Sequence, residues 1–485
     1  DPASPLVHDC LHALGAMIVR TDASKATKAG AAHAPTPAGQ TKRFSICVLP
    51  FANMSGDPEQ EYFSDGITED IITDLSKVSA LAVTSSNTAF KYKAKHADIP
   101  SVVRELKVAY VLEGSVRKAG GRIRINAQLI HGASDNHVWA ERYDRDASDI
   151  FAIQDEISHA IVKALKLSLL PEEKKAIEQR GTNSVEAHDL YLMARQIYLT
   201  NMEADERSAG AIIRTCVRAT KIDPDYAQAW AMMAMGYRNL RMLEIHSEDG
   251  MDAAERALTL DPNLPEAHAV KAYILLQRGD TNAAASEVAV ALKLDPESSE
   301  ANRTAARLSY QLHRYEDAIR GYEKAASLVE GDQNSANMLI SCYAAVGDAA
   351  GIHRAAEMSF KRAEAILGRD QNNSGVMSYS AYALAALGES ERAKARMNRA
   401  LLIDPNNFNA RYNFACALCV YLHDKDGALE MLGPAFETIS DTFLPYAKAD
   451  PDFEPLRDDP RFKEMVARAE ARLAAASKQP ADEHG

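Results

Sequence analysis

The chain lacks a surplus of positive charge, a long apolar run and any dense spacing of cysteines. Its 485 residues carry 55 Lys and Arg against 68 Asp and Glu, a formal net charge of −13. A protein that coats nucleic acid needs the opposite balance to neutralise phosphates, so a chain-wide nucleic-acid footprint is excluded and only a local basic patch stays open. No apolar run approaches the roughly 18–20 residues that cross a bilayer. The best early run, Ala13 to Val19, has no basic stretch before it, so neither a signal peptide nor a transmembrane helix is expected. Cytoplasmic residence follows, or periplasmic residence if a membrane segment precedes residue 1. The six cysteines (Cys10, Cys47, Cys216, Cys342, Cys416, Cys419) are scattered, which fits a reducing compartment better than a disulfide framework. Neither G-x-x-x-x-G-K-[ST], H-E-x-x-H nor G-x-S-x-G occurs, so phosphate-loop, zincin and serine-hydrolase mechanisms lose their usual signal.

What is present divides into segments. Residues 1–43, with KATKAGAAHAPTPAGQTK, are rich in Ala, Thr, Ser, Gly and Pro and read as a disordered linker or the remnant of an upstream region. Residue 1 is Asp rather than Met, which reads as a processed product or the carboxyl-terminal part of a longer protein. From Phe44 the texture changes. FSICVLPF reads as a buried strand closed by Pro50, NMSGDPE as a turn, and Phe63, Ile67, Ile71, Ile72 and Leu75 fall at helical spacing. A strand LAVTSS, a polar loop NTAFKYKAKHADIP and a helix near 99–107 follow. In AYVLEGSVRKAGGRIRINAQLI two strands flank Ala119-Gly120-Gly121, and Arg122, Arg124 and Asn126 alternate with Ile123, Ile125 and Ala127. The strand NHVWAERYDR and an amphipathic helix opened by Asp149 complete an order βαβαβββα over 44–170, an α/β domain.

Beyond Pro171 a repeat takes over. KIDP, LTLDP, LKLDP and LLIDP end at Pro224, Pro262, Pro296 and Pro405, with weaker equivalents ending at Glu330 and Gly368, at spacings of 34 to 38 residues. A period near 34 is the tetratricopeptide signature. Trp230, Met233, Ala234 and Tyr237 reproduce the W-x2-L-G-x2-Y start, with Met for Leu and Ala for Gly. Ala272, Gly279, Ala284 and Ala291 recur as Ala381, Gly388, Ala393 and Ala400, small residues where paired helices approach. About seven repeats are expected over 185–440 in an all-α superhelix, with capping helices over 441–475 and a disordered tail over 476–485.

The blocks FSICVLPFANMSGDPEQEYFSDGITEDIITDLS, AYVLEGSVRKAGGRIRINAQLI and HVWAERYDRDASDIFAIQDEI resemble, in order, the TolB-like amino-terminal domain of bacterial multidomain signalling proteins. The resemblance covers about 44–168. In that family the domain stands between an effector, often a class III adenylate/guanylate cyclase or a winged helix, and carboxyl-terminal tetratricopeptide repeats. It implies a bacterial regulatory protein and transfers no catalytic residue. Residues 1–43 match neither effector and are too short for a cyclase domain.

Several constellations invite chemistry. Asp65/Glu69 and Asp70/Asp74 at i, i+4 spacing offer paired oxygens to a hard cation, but the preferred reading is the wet face of a helix. Cys416-x-x-Cys419 has zinc-like spacing without a second ligand pair and reads as buried small residues. His131 and His137 flank a hairpin loop, and Phe90-Lys91-Tyr92-Lys93-Ala94-Lys95 interleaves aromatics with cations in one short loop. No catalytic, cofactor or metal site is assigned. Stacked helix pairs form a concave face suited to a peptide or a partner helix, and Glu300, Arg303, Arg307 and Tyr310 are expected to project into it. The reading is a non-catalytic scaffold or sensor binding a protein or peptide partner. Its alternatives are the regulatory part of a cyclase whose catalytic domain lies elsewhere, and the sensory part of a winged-helix regulator.

Overall fold

The structure, a computed structural model, describes residues 44–93, 98–178, 181–200, 206–242, 248–441 and 443–476. The expectations for 1–43 and for 477–485 lie outside these residues. The chain divides into two compact units, one holding the described residues up to Gln196 together with Arg214–Ala229, the other holding Ile197–Ile213 and the chain from Trp230 onward.

In the first unit a six-stranded mixed sheet is built from β1 (Phe44–Val48), β2 (Ala52–Asn53), β3 (Leu81–Val83), β4 (Tyr110–Ala119), β5 (Arg122–His131) and β6 (Asn136–Asp146), in the order β3-β1-β4-β5-β6 with β2 beside β4. β1 pairs parallel with β3 and β4, and Ile46, Cys47 and Val48 have no exposure, as befits a strand covered on both faces. β4, β5 and β6 are antiparallel. Here the alternation read from the sequence holds: Ile123, Ile125, Ala127 and Leu129 are buried, while Arg122, Arg124 and Asn126 are exposed. Gly120 and Gly121 both take positive φ, 56° and 78°, the backbone of a two-residue turn whose twist suits the flanking strands.

Two helices cover the buried face. Helix α1 (Glu61–Ser76) buries Phe63, Ile67, Ile71 and Leu75. The stretch that reads as a loop holds the short α2 (Ser86–Phe90), because the Ser85 side chain accepts from the Thr88 amide. Helix α3 (Ile99–Leu106) follows, and α4 (Ile150–Ala164) buries Ile150, Ile153, Ile157 and Ile161 on one stripe. Thr68 locks α1 to the strand end, accepting from the Phe51 amide at 3.0 Å and donating to the Ser64 carbonyl at 2.9 Å.

In the second unit the helices run in antiparallel pairs, including Pro265–Gln277 with Thr281–Leu294, Ser299–Gln311 with Tyr315–Leu328, Gln333–Ala345 with Ala349–Leu367, Ser374–Ala386 with Ser390–Ile403, and Phe408–Val420 with Lys425–Thr438. The sequence marks each boundary. Asp261 and Asp295 stop a helix in extended backbone before Pro, and their carboxylates accept the amides of Asn263 and Glu297. First helices are capped by Ser298, Asp332, Asn373 and Asn407, second helices by Asp280, Asp348 and Asp424. The turn inside each pair needs a left-handed residue, supplied by Gly279, Gly347 and Gly388 and, at a cost, by His313 and His423. Ala272, Ala284, Ala291, Ala381, Ala393 and Ala400 have no exposure, which lets the paired helices close on one another.

After the last pair come a helix Phe443–Ala449, a 3-10 turn Pro451–Leu456 and a helix Pro460–Ala476. This segment does more than cap an end. Asp441 pairs with Arg241 at 2.8 Å, and Tyr446 lies over Arg307. No helix among the described residues is long and apolar enough to cross a membrane.

Candidate functional site

The acidic helix α1 is settled by its partners. Asp65 binds Lys93, Glu69 binds Arg195, Asp70 accepts from Gln154 at 2.7 Å and lies 3.2 Å from His188 Nε2, and Asp74 meets Lys77 at 3.0 Å. The wet-face reading is therefore corrected in one respect: Asp65 and Asp74 are buried. Burial pushes Asp65 and Glu69 upward against the pull of Lys93 and Arg195, and takes Asp74 up to about 6 despite Lys77. Each carboxylate is held by its own partner, and among the described residues no three His, Cys, Asp or Glu side chains gather as metal ligands.

The same holds for the smaller constellations. Cys416 and Cys419 are buried on one helix as free thiols, both pushed upward by burial. His131 Nδ1 meets Ser134 Oγ at 2.9 Å within the β5–β6 turn, and Lys93 is committed to Asp65 and Glu61. A trough of about 1070 Å³ over the open sheet face is lined by Glu113, Ser115, Asn126 and Gln128. Those groups satisfy one another, Gln128 donating to Glu113 and Asn126 to Ser115.

A cavity of about 720 Å³ within the repeat unit differs in kind. It is built around the helix Ser299–Gln311, where Glu300, Arg303, Arg307 and Tyr310 fall on one stripe. Glu300 and Arg303 are each only 8% exposed. Glu300 accepts from Arg238, from Arg303 and, at 2.6 Å, from the Tyr198 hydroxyl, while Arg303 also lies 3.6 Å from Asp332. Burial alone would raise the Glu300 carboxyl, but Arg238 and Arg303 outweigh it and hold the group at about 2. Two arginines and two acids thus neutralise one another out of water, which makes the network structural.

Arg307 is different. Its guanidinium lies over the rings of Tyr273 and Tyr446, 5.2 and 5.3 Å from their centroids, and no ion pair or hydrogen bond joins it to another described residue. The Tyr322 ring is fully buried, and its hydroxyl has no hydrogen-bond partner among the described residues. Arg303, Arg307, Tyr273 and Tyr322 line the cavity, with Asn239, Asn334, Asn372, Asn406 and Asn409 among the polar groups around them. Glu300 and Tyr310, expected to project into the groove, do not line it. Glu300 is consumed by the ion network, and Tyr310 packs edge-on against Tyr315 at 5.6 Å in the core.

Behind Tyr446 lies a buried acid pair. Asp450 accepts from the Tyr412 hydroxyl at 2.6 Å and Asp452 from the Tyr382 hydroxyl at 2.9 Å. Burial raises both carboxyls, and Asp450 raises Asp452 further.

Comparison with known proteins agrees with this architecture. Residues 41–160 match the model of the second domain of HilA/YgeH-like transcriptional regulators, and residues 251–325 match that of subunit 3 of the anaphase-promoting complex, or cyclosome. A protein of Rhizobium meliloti (strain 1021) named "Putative adenylate cyclase 3" is 53% identical over 191 residues, 39% of this chain and 32% of that protein. The match thus spans about a third of the relative. Among solved structures, TolB from Acinetobacter baumannii is 20% identical over 26% of this chain and 29% of its own, with a TM-score of 0.20. YrrB, described as a tetratricopeptide protein with an unusual peptide-binding site, is 17% identical over 46% of this chain and 99% of its own, with a TM-score of 0.27. The chain carries a small α/β sheet domain followed by a long all-helical, tetratricopeptide-like repeat array.

Proposed function

We propose that these residues form the non-catalytic, partner-binding region of a bacterial signalling protein, with the inner cavity of the repeats as the seat for a protein or peptide segment. The observation that carries the reading is the roughly 720 Å³ cavity within the repeats, lined by Arg303, Arg307, Tyr273, Tyr322 and several asparagines, where no ion pair or hydrogen bond commits Arg307 to another described residue. Cavities of this size with a few convergent polar groups are where ligands bind. The α/β domain serves to relay to, or pack against, an effector. The relative named for adenylate cyclase activity favours a second reading, the regulatory part of a cyclase whose catalytic domain lies outside this chain. The match to a transcriptional regulator's second domain favours a third, the sensory part of a winged-helix regulator.

A pull-down from the native bacterium tests the reading, with the wild-type chain, Asn372→Trp at the cavity wall and Leu402→Arg on the outer surface, where Leu402 is 86% exposed. A partner lost only by Asn372→Trp supports it; equal recovery by all three, or none by any, sinks it.

A further inference from the structure

We infer that β6, the open edge of the sheet, pairs antiparallel with β6 of a second copy of this chain, about a two-fold axis at Tyr143.

Among the described residues β6 pairs with β5 alone, and it ends the sheet. At 11 residues it is a long edge, and a long open edge is a template for another strand. Edges that stay single are commonly blunted by Lys or Pro, and β6 has neither. The ladder fixes which backbone groups it offers. The Ala147 amide donates to the Gly121 carbonyl at 2.8 Å, one step beyond the register that sets Arg122 opposite Asp146. Hydrogen-bonded and open pairs alternate in an antiparallel ladder, so Glu141, Tyr143 and Arg145 spend their backbone groups on β5. Those of Ala140, Arg142 and Asp144 point away from the sheet. Their N–H groups, and that of Asp146, meet no described acceptor; the Asp144 carbonyl takes a 3.3 Å bond from the Arg122 guanidinium and keeps a second lone pair.

Parity and charge then select one register. The outward groups belong to even-numbered residues, so a two-fold axis must pass through a residue of β6 rather than between two. An axis at Glu141, Arg142, Asp144 or Arg145 sets a charge against its own copy, and one at Ala140 opposes no unlike charges. At Tyr143 the strand is its own complement. Arg142 meets Asp144 of the second copy on the open face, Glu141 meets Arg145 on the helix-covered face, and each contact occurs twice. Arg142 is exposed and forms no ion pair with another described residue, and Glu141 has only the Tyr143 hydroxyl, at 3.2 Å. Asp144 is already held by Arg122 and Arg124 of its own strand pair, which fixes its carboxylate beside the edge.

Sedimentation velocity of the full-length chain tests the pairing. One strand pair buries less than a standard interface, so a monomer–dimer equilibrium is expected between about 1 and 500 µM. Ala140→Pro removes an outward N–H that β5 does not use and puts a ring where the partner strand must lie; it should raise Kd about tenfold or more. Arg142→Glu sets like charges together on both sides of the axis and should also raise Kd about tenfold or more. Leu402→Arg, on the outer surface of the repeats, should leave it unchanged. Register is read by disulfide formation in a Cys10→Ser background, which also decides the matter if a substitution disturbs the sheet. Glu141→Cys mixed with Arg145→Cys should cross-link, because an open antiparallel pair brings Cα atoms to about 4.5 Å. Either variant alone should not, since like positions stand about 13 Å apart along the strands. A wild type that is monomeric throughout, a dimer indifferent to both edge substitutions, or a mixture that cross-links no better than either variant alone would overturn the inference.

Discussion

Glu300→Gln removes one negative charge from the Arg238–Glu300–Arg303 network and leaves Arg238 and Arg303 out of water with Asp332, 3.6 Å from Arg303, as the one remaining acid. Holding the Glu300 carboxyl at about 2, against an ordinary 4.5, corresponds to about 3 kcal/mol of native-state stabilisation. Breaking a buried pair by deleting one partner costs about 3–5 kcal/mol in general, so the two routes agree. Because the folded carboxyl lies below its unfolded value, the contribution is complete above pH 4.5 or so and is lost as pH falls toward 2. Trp230 shares a helix with Arg238 and, with Trp139→Phe as background, becomes the sole tryptophan, a local reporter of urea unfolding. With a slope of about 3 kcal/mol/M, Glu300→Gln should lower the midpoint by about 1 M at pH 7. The gap should close as the wild-type carboxyl is protonated, becoming small near pH 2. A midpoint shift under about 0.3 M at pH 7, or one independent of pH, would refute a structural role for this network.

Three further outcomes follow from the packing. Gly114→Ala should cost about 2 kcal/mol or more in a melt, because a Cβ there would stand 2.4 Å from the Asn126 carbonyl oxygen and 2.6 Å from the Phe51 ring. Asp452→Asn should stabilise the repeat unit at pH 8: its raised folded carboxyl binds a proton that the unfolded chain has lost above pH 4 or so, so wild-type stability falls as pH rises. A flat pH difference between the two would contradict it. Cys47, Cys216, Cys342, Cys416 and Cys419 should resist iodoacetamide until the chain unfolds, since burial raises every thiol, Cys47 up to about 12; mass spectrometry of each site checks this.

Much of the fold was legible in the sequence because it rests on local rules. Period-two alternation in Arg122–His131 marked a half-buried strand, and the Asp-Pro stops with their small-residue partners marked the helix pairs. The α2 helix was missed because a single Ser85 cap, rather than any apolar period, makes it. The site was legible only as a face. Helical spacing put Glu300, Arg303, Arg307 and Tyr310 on one stripe, but their fates depend on residues far away in the chain. Tyr198 and Arg238 consume Glu300, and Tyr446 returns from the carboxyl-terminal segment to stack on Arg307. Nor could spacing show that Asp65, Glu69 and Asp70 each meet a partner from a distant segment. A signal does stand in the sequence: arginine recurs on the first helix of more than one repeat, Arg238 as well as Arg303 and Arg307, and each lies beside tyrosine.

The central claim is that the inner cavity holds the partner, and a photo-crosslinking amino acid tests it most directly. Placed at Asn372 on the cavity wall it should give a covalent adduct with a single protein in the native bacterium, and placed at the outward Leu402 it should give none. Adducts of equal yield at both positions, or at Leu402 alone, would contradict the account.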